Sequence, residues 1–182
     1  MATSTAISST VQSVFDANRH DGLGLVISGA LPLAAFVIVH GLAEMAGVTP
    51  LFFAPFGMPG WIGAVLHLAS LPLFGIVRWL VAQSRDNGRV AMRWLVALMT
   101  GTIGLPFVAA PLDPLMLSLA TVLLLLLGMA TAVRVARVSP RAAWLMLPGL
   151  AWTGLSAFVG LSLAAGWSPP FSLTNGQGQS AT

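Results

Sequence analysis

The chain of 182 residues carries five acidic and eight basic side chains, and 57% of its residues are hydrophobic. With 7% charged residues and a mean hydropathy of +0.89, it lacks the polar surface that keeps a water-soluble domain of this length dissolved. Cysteine is absent, which excludes disulfides, thiolate metal sites and cysteine nucleophiles. A net charge of +3 divided among apolar runs makes no basic patch for nucleic acid.

Residues 1–22 form a polar N-terminal segment rich in Ser, Thr and Ala. No basic region precedes an apolar core there, so no cleaved signal peptide is expected. Ile7, Val11, Val14 and Phe15 share one helical face, which fits a short helix on the membrane surface and a partly ordered tail equally well. The membrane domain is expected over 23–166, as five apolar helices of the length that crosses ~30 Å of hydrocarbon. Span one covers about 23–46 and contains Pro32, with His40 and Glu44 near its far end. A loop rich in Pro, Gly and Phe follows from Gly47 to Gly60, apolar enough to pack on the membrane domain. Spans two and three cover about 58–82 and 89–109, with Pro72 and Pro106 inside them. Span four, about 113–136, opens on Asp113-Pro114, a capping acceptor followed by proline in the first turn. Span five, about 141–166, follows a similar Ser139-Pro140 start, and a polar tail occupies 167–182. Helix is the only reading of these spans, because hydrocarbon offers backbone groups no other partner.

The basic residues are all arginine: Arg19, Arg78, Arg85, Arg89, Arg93, Arg134, Arg137 and Arg141. With five spans they fall on one side of the bilayer, and the opposite loops and tail hold none. The positive-inside rule then sets the amino terminus in the cytoplasm and the carboxyl terminus outside, in a multi-pass protein of a bacterial-type inner membrane.

Few residues carry chemistry. His40 and Glu44, four apart, share a helical face and are candidates for a ligand's polar group, a metal or a proton; mutual pairing near the interface is the simpler alternative. His67 lies deeper, in span two. It is a candidate for ligating a tetrapyrrole metal or bonding a pigment, or for satisfying a backbone carbonyl. His20 reads as a solvated residue and Asp86 as a loop residue. Of six tryptophans, Trp79, Trp94, Trp144 and Trp167 sit near span ends, as an interfacial belt requires. Trp61 and Trp152 are the candidates for an internal pocket. Ser156, Gly160 and Ala164 repeat at close-packing spacing, for a contact inside the bundle or in a dimer. No paired carboxylates, nucleophile with a base, phosphate loop or metal-ligand cluster is present, so a non-enzymatic protein without catalytic residues or a metal site is expected.

From about Pro55 to Trp167 the pattern resembles the TspO/translocator family, the tryptophan-rich sensory proteins. Met58-Pro59-Gly60-Trp61 is similar to the family's entry into span two, and Gly75 and Trp79 keep its spacing. Pro106 and Pro114 resemble the prolines that close span three and open span four. The stretch from Leu145 to Trp152 resembles the family's proline-centred motif in span five. The departures lie in the pocket: His67 and Leu71 stand where the family has tryptophan and tyrosine. Gly101 and Gly104 replace an asparagine and a tryptophan, Ala120 an aspartate, and Gly160 an asparagine. The resemblance implies an all-α, TspO-like bundle of five transmembrane helices. It also implies a pocket under the first loop for a porphyrin or other tetrapyrrole, or a sterol-like lipid, often in a homodimer.

The resulting expectation is a membrane protein that binds an apolar ligand such as a tetrapyrrole, carotenoid or sterol-like lipid. Trp61, His67 and Trp152 would line the pocket, with His40 or Glu44 at the ligand's polar end. The alternative is a structural accessory subunit on a larger membrane complex, a photosynthetic pigment-protein complex among the candidate hosts. The five leucines Leu123 to Leu127 would then offer a docking face.

Overall fold

A computed structural model describes the backbone of residues 3–84 and 88–167, and the side chains of 22–84 and 88–165. His20, Arg19, Arg85, Asp86, the apolar face of the N-terminal segment and the tail beyond 167 thus lie outside the residues whose side chains are described. The protein is all-α, with no strand among the described residues. Its helices are α1 (Thr3–Met45), α2 (Gly60–Gln83), α3 (Gly88–Val108), α4 (Pro114–Val138), α5 (Pro140–Trp144) and α6 (Leu147–Trp167). Five stretches are long and apolar enough to cross a membrane: Gly22–Met45, Gly60–Gln83, Gly88–Val108, Pro114–Val138 and Pro140–Ala165. Large apolar side chains stand fully outward along them, such as Val26, Val37 and Ile38 on α1 and Leu123, Leu126 and Met129 on α4. Water would penalise such a surface, and lipid tails cover it.

Local chemistry sets the helix ends. The Met116 N–H donates to Asp113 Oδ1 at 2.7 Å with Pro114 next in line, and the Ala142 N–H donates to Ser139 Oγ at 3.4 Å ahead of α5. Helix α1 ends in a Schellman turn. Gly47, at φ +73°, donates to the Glu44 carbonyl at 3.0 Å, and Val48 donates to Ala43 at 2.8 Å.

Span five is not one continuous helix. Pro148 has no N–H for the Trp144 carbonyl, and its ring collides with that carbonyl in a regular helix. The chain therefore turns at Leu145–Met146, where Met146 donates back three residues to Ala143 at 3.1 Å before α6 begins.

Prolines and glycines also set the closest contacts. Pro32 removes the helical donor for the Ser28 carbonyl, and Gly75 of α2 lies directly against that carbonyl. A Cβ at Gly75 would overlap Ser28 backbone, so only glycine permits this approach. Gly160 makes a looser version of this contact for α6 on α4, where a Cβ would meet the Ser118 Cβ at 3.1 Å, and Ser156 and Ala164 are buried along the same face. The small-residue repeat thus packs within the bundle.

The solid core occupies one half of the bundle. Phe74, Val77 and Val81 of α2 meet Leu95, Leu98 and Met99 of α3, with Leu124, Val135, Ala142 and Met146 completing the cluster. The same end carries Arg78, Arg89, Arg93, Arg134, Arg137 and Arg141, since short connections join α2 to α3 and α4 to α5 there. Arg134 lies over the Trp94 ring at 3.8 Å and also donates to the Ala130 carbonyl at 3.0 Å. The opposite half is hollow.

Candidate functional site

The loop between α1 and α2 folds back onto the hollow half and is held at three points. The Leu51 N–H donates to the Pro106 carbonyl at 2.8 Å, beyond which α3 ends. The Phe53 carbonyl rests on Gly63, where any Cβ would collide with it. The Phe53 ring packs edge-on against Trp152, with centroids 5.5 Å apart. A left-handed turn at Phe56 (φ 59°) and Gly57 (φ 72°), closed by Met58 donating to Pro55 at 3.1 Å, returns the chain to α2.

Beneath this loop is a cavity of about 370 Å³, within the range of small-molecule sites. Leu51, Phe52, Phe53 and Ala54 roof it, and His67 enters from α2. Leu105 and Pro106 come from the end of α3, and Leu117, Ser118, Thr121 and Leu124 from α4. Trp152, Thr153, Ser156, Gly160 and Leu163 come from α6. Among the described residues no lysine, arginine, aspartate or glutamate lines it, and most of its wall is carbon.

Apart from the Trp152 indole N–H, the side-chain polar groups offer acceptors. Ser118 donates to the Leu115 carbonyl at 2.7 Å, Thr121 to Ser118 at 2.8 Å, Thr153 to Gly149 at 2.9 Å and Ser156 to Trp152 at 3.0 Å. Each hydroxyl proton is used within its own helix, which leaves oxygen lone pairs. His67 follows the same rule for a different reason. Pro106 deprives the Thr102 carbonyl of its helical N–H, and His67 Nε2 lies 2.8 Å from that oxygen. The proton therefore sits on Nε2, and Nδ1 keeps a lone pair. A histidine anchored through one nitrogen on a backbone carbonyl is the arrangement that orients the other for a donor or a metal. The Phe52 ring packs edge-on to the imidazole, with centroids 5.7 Å apart.

The five candidate residues separate. His67 and Trp152 both line the cavity. Trp61, in the first turn of α2, is 68% exposed and lies outside it. His40 and Glu44 also lie outside the lining and face each other, Nε2 to Oε1 at 3.4 Å. His40 stacks on Phe36, which contacts Phe52, so one aromatic layer divides that pair from the roof. Among the described residues, no group of three or more His, Asp or Glu side chains is placed to hold a metal ion. Sequence reasoning did not single out Thr102, Ser118 or Thr121. Pro106, four residues after Thr102, was the available signal for the first.

Fold and site together define a five-helix membrane-type bundle, solid at its arginine-rich end and hollow at the other. Against protein-family models, curated proteins and solved structures, the chain matches none.

Proposed function

We propose that this is a non-enzymatic, TspO-like membrane protein that binds an apolar, uncharged ligand in the cavity under the first loop. Of the tetrapyrrole, carotenoid and sterol-like lipid classes, the lining favours a neutral molecule bearing a hydroxyl. The observation that carries this reading is a wall without charged side chains among the described residues, in which His67, anchored through Nε2 on the Thr102 carbonyl, keeps Nδ1 as an acceptor and the Trp152 indole supplies an N–H. A carboxylated tetrapyrrole would have no counter-ion there, and burying an unpaired carboxylate costs several kcal/mol, on the order of its desolvation. A ligand hydroxyl donating to Nδ1 meets that lone pair without burying charge. We further propose a bacterial-type inner membrane with the amino terminus cytoplasmic, which puts the cavity toward the outer face.

Competition between cholesterol and its 3-ketone for the detergent-solubilised protein tests the reading. Tighter binding of the alcohol is expected. Equal affinity, or tighter binding of protoporphyrin IX than of either, would overturn the acceptor argument. The second reading, an accessory subunit of a larger membrane complex, draws on the exposed leucines of α4, which lipid also covers. Co-purification with a large complex from native membranes, with no sterol or carotenoid bound, would favour it.

A further inference from the structure

On the arginine-rich side a second, shallower groove of about 330 Å³ runs along the end of α4 and over α5. Its walls include Ala132, Val133 and Ala136 from α4 and Pro140, Ala143 and Trp144 from α5. Three alanines leave space that larger residues would fill. Leu147, the first residue of α6 after the break at Leu145–Met146, completes the wall. The lining is apolar apart from the Trp144 indole, and Trp144 is 71% exposed, as an interfacial tryptophan would be.

Two arginines follow wall residues directly in the chain. Arg137 is in the last turn of α4 and Arg141 in the first turn of α5, each next in sequence to a wall residue, and both are exposed. Among the described residues neither forms an ion pair; the close His40–Glu44 contact sits at the other end of the bundle. An apolar groove whose wall residues Ala136 and Pro140 are each followed by an exposed arginine matches a molecule with a hydrocarbon chain and an anionic head. Guanidinium also suits phosphate better than a point charge does, because its donors form a planar fork.

We propose that this groove binds an anionic phospholipid of the arginine-side leaflet. One acyl chain lies against Ala132, Ala136 and Ala143, and the phosphate bridges Arg137 and Arg141. The site is independent of the cavity under the first loop and stands or falls separately from it.

Native mass spectrometry of the full-length protein, with dioleoyl phosphatidylglycerol or dioleoyl phosphatidylcholine at equal concentration, tests this. Retention should favour phosphatidylglycerol by about fivefold for each arginine at low salt. The Arg137→Gln/Arg141→Gln double variant should erase the preference, and Ala136→Leu should lower retention of both lipids. If Ala136→Leu fails to fold, the arginine variant still decides, since its replaced side chains are exposed. Equal retention of the two lipids, or a preference that survives the double variant, overturns the proposal. So does inorganic phosphate displacing phosphatidylglycerol at equal concentration, which would mark a bare anion site.

Discussion

His67 Nε2 lies 2.8 Å from the Thr102 carbonyl, the one backbone acceptor in α3 that Pro106 deprives of its helical donor. The proline creates an unsatisfied acceptor between two membrane helices, and the histidine of the neighbouring helix satisfies it. The same bond ties α2 to α3 and fixes which imidazole nitrogen keeps its lone pair.

His67→Leu should therefore destabilise the bundle by about 1–3 kcal/mol, the cost of a buried carbonyl left without a partner. Pro106→Ala returns an N–H to Thr102, so His67→Leu should cost at least about 1 kcal/mol less in that background. Unfolding in a mixed-detergent titration measures both arms of the cycle. Equal costs in the two backgrounds would show that the carbonyl does not depend on His67.

The approach of α1 to α2 depends on Gly75 having no side chain. Gly75→Ala places a methyl group against the Ser28 backbone, which cannot rotate away, and should cost about 3 kcal/mol. Gly41→Ala, at an exposed α1 position with nothing within 4 Å, should stay within about 0.5 kcal/mol of wild type. Thermal unfolding followed by circular dichroism compares the two. A loss at Gly75 no larger than at Gly41 would show that the α1–α2 contact does not depend on the missing side chain.

The roof can be lifted separately from the bundle. Gly63→Ala drives a methyl group into the Phe53 carbonyl, so the loop must move off α2 and Phe53 must leave Trp152. The expected outcome is faster proteolysis within Gly47 to Gly60 and a red-shifted tryptophan emission, with helical content unchanged. An unaltered cleavage rate would show that the loop is not seated through Gly63.

The sequence made the spans and their caps legible, because a bilayer demands long apolar helices and Asp113-Pro114 and Ser139-Pro140 signal their starts by local chemistry. The break in span five was less visible. A single proline near a helix start is often tolerated, and only the turn at Leu145–Met146 shows that Pro148 divides the span here. Two residues of the cavity wall were readable. His67 and Trp152 line it, whereas Trp61 does not, since six residues at about 100° each put Trp61 and His67 on different faces of α2. The roof was not readable, because seating Phe52 on His67 of α2 and Phe53 on Trp152 of α6 is a long-range event that no periodicity encodes. The solid half beside the hollow half depends on packing among four helices, which sequence pattern does not specify.

The central claim is that a neutral, hydroxyl-bearing apolar ligand is held beneath the first loop through His67. Its most direct test is the affinity of a fluorescent sterol such as dehydroergosterol, excited by energy transfer from tryptophan, for wild type, His67→Leu and Trp61→Phe. Saturable binding should weaken about tenfold in His67→Leu, the value of one buried hydrogen bond, and remain at the wild-type level in Trp61→Phe. Wild-type affinity in His67→Leu, or loss of binding in Trp61→Phe, would contradict it.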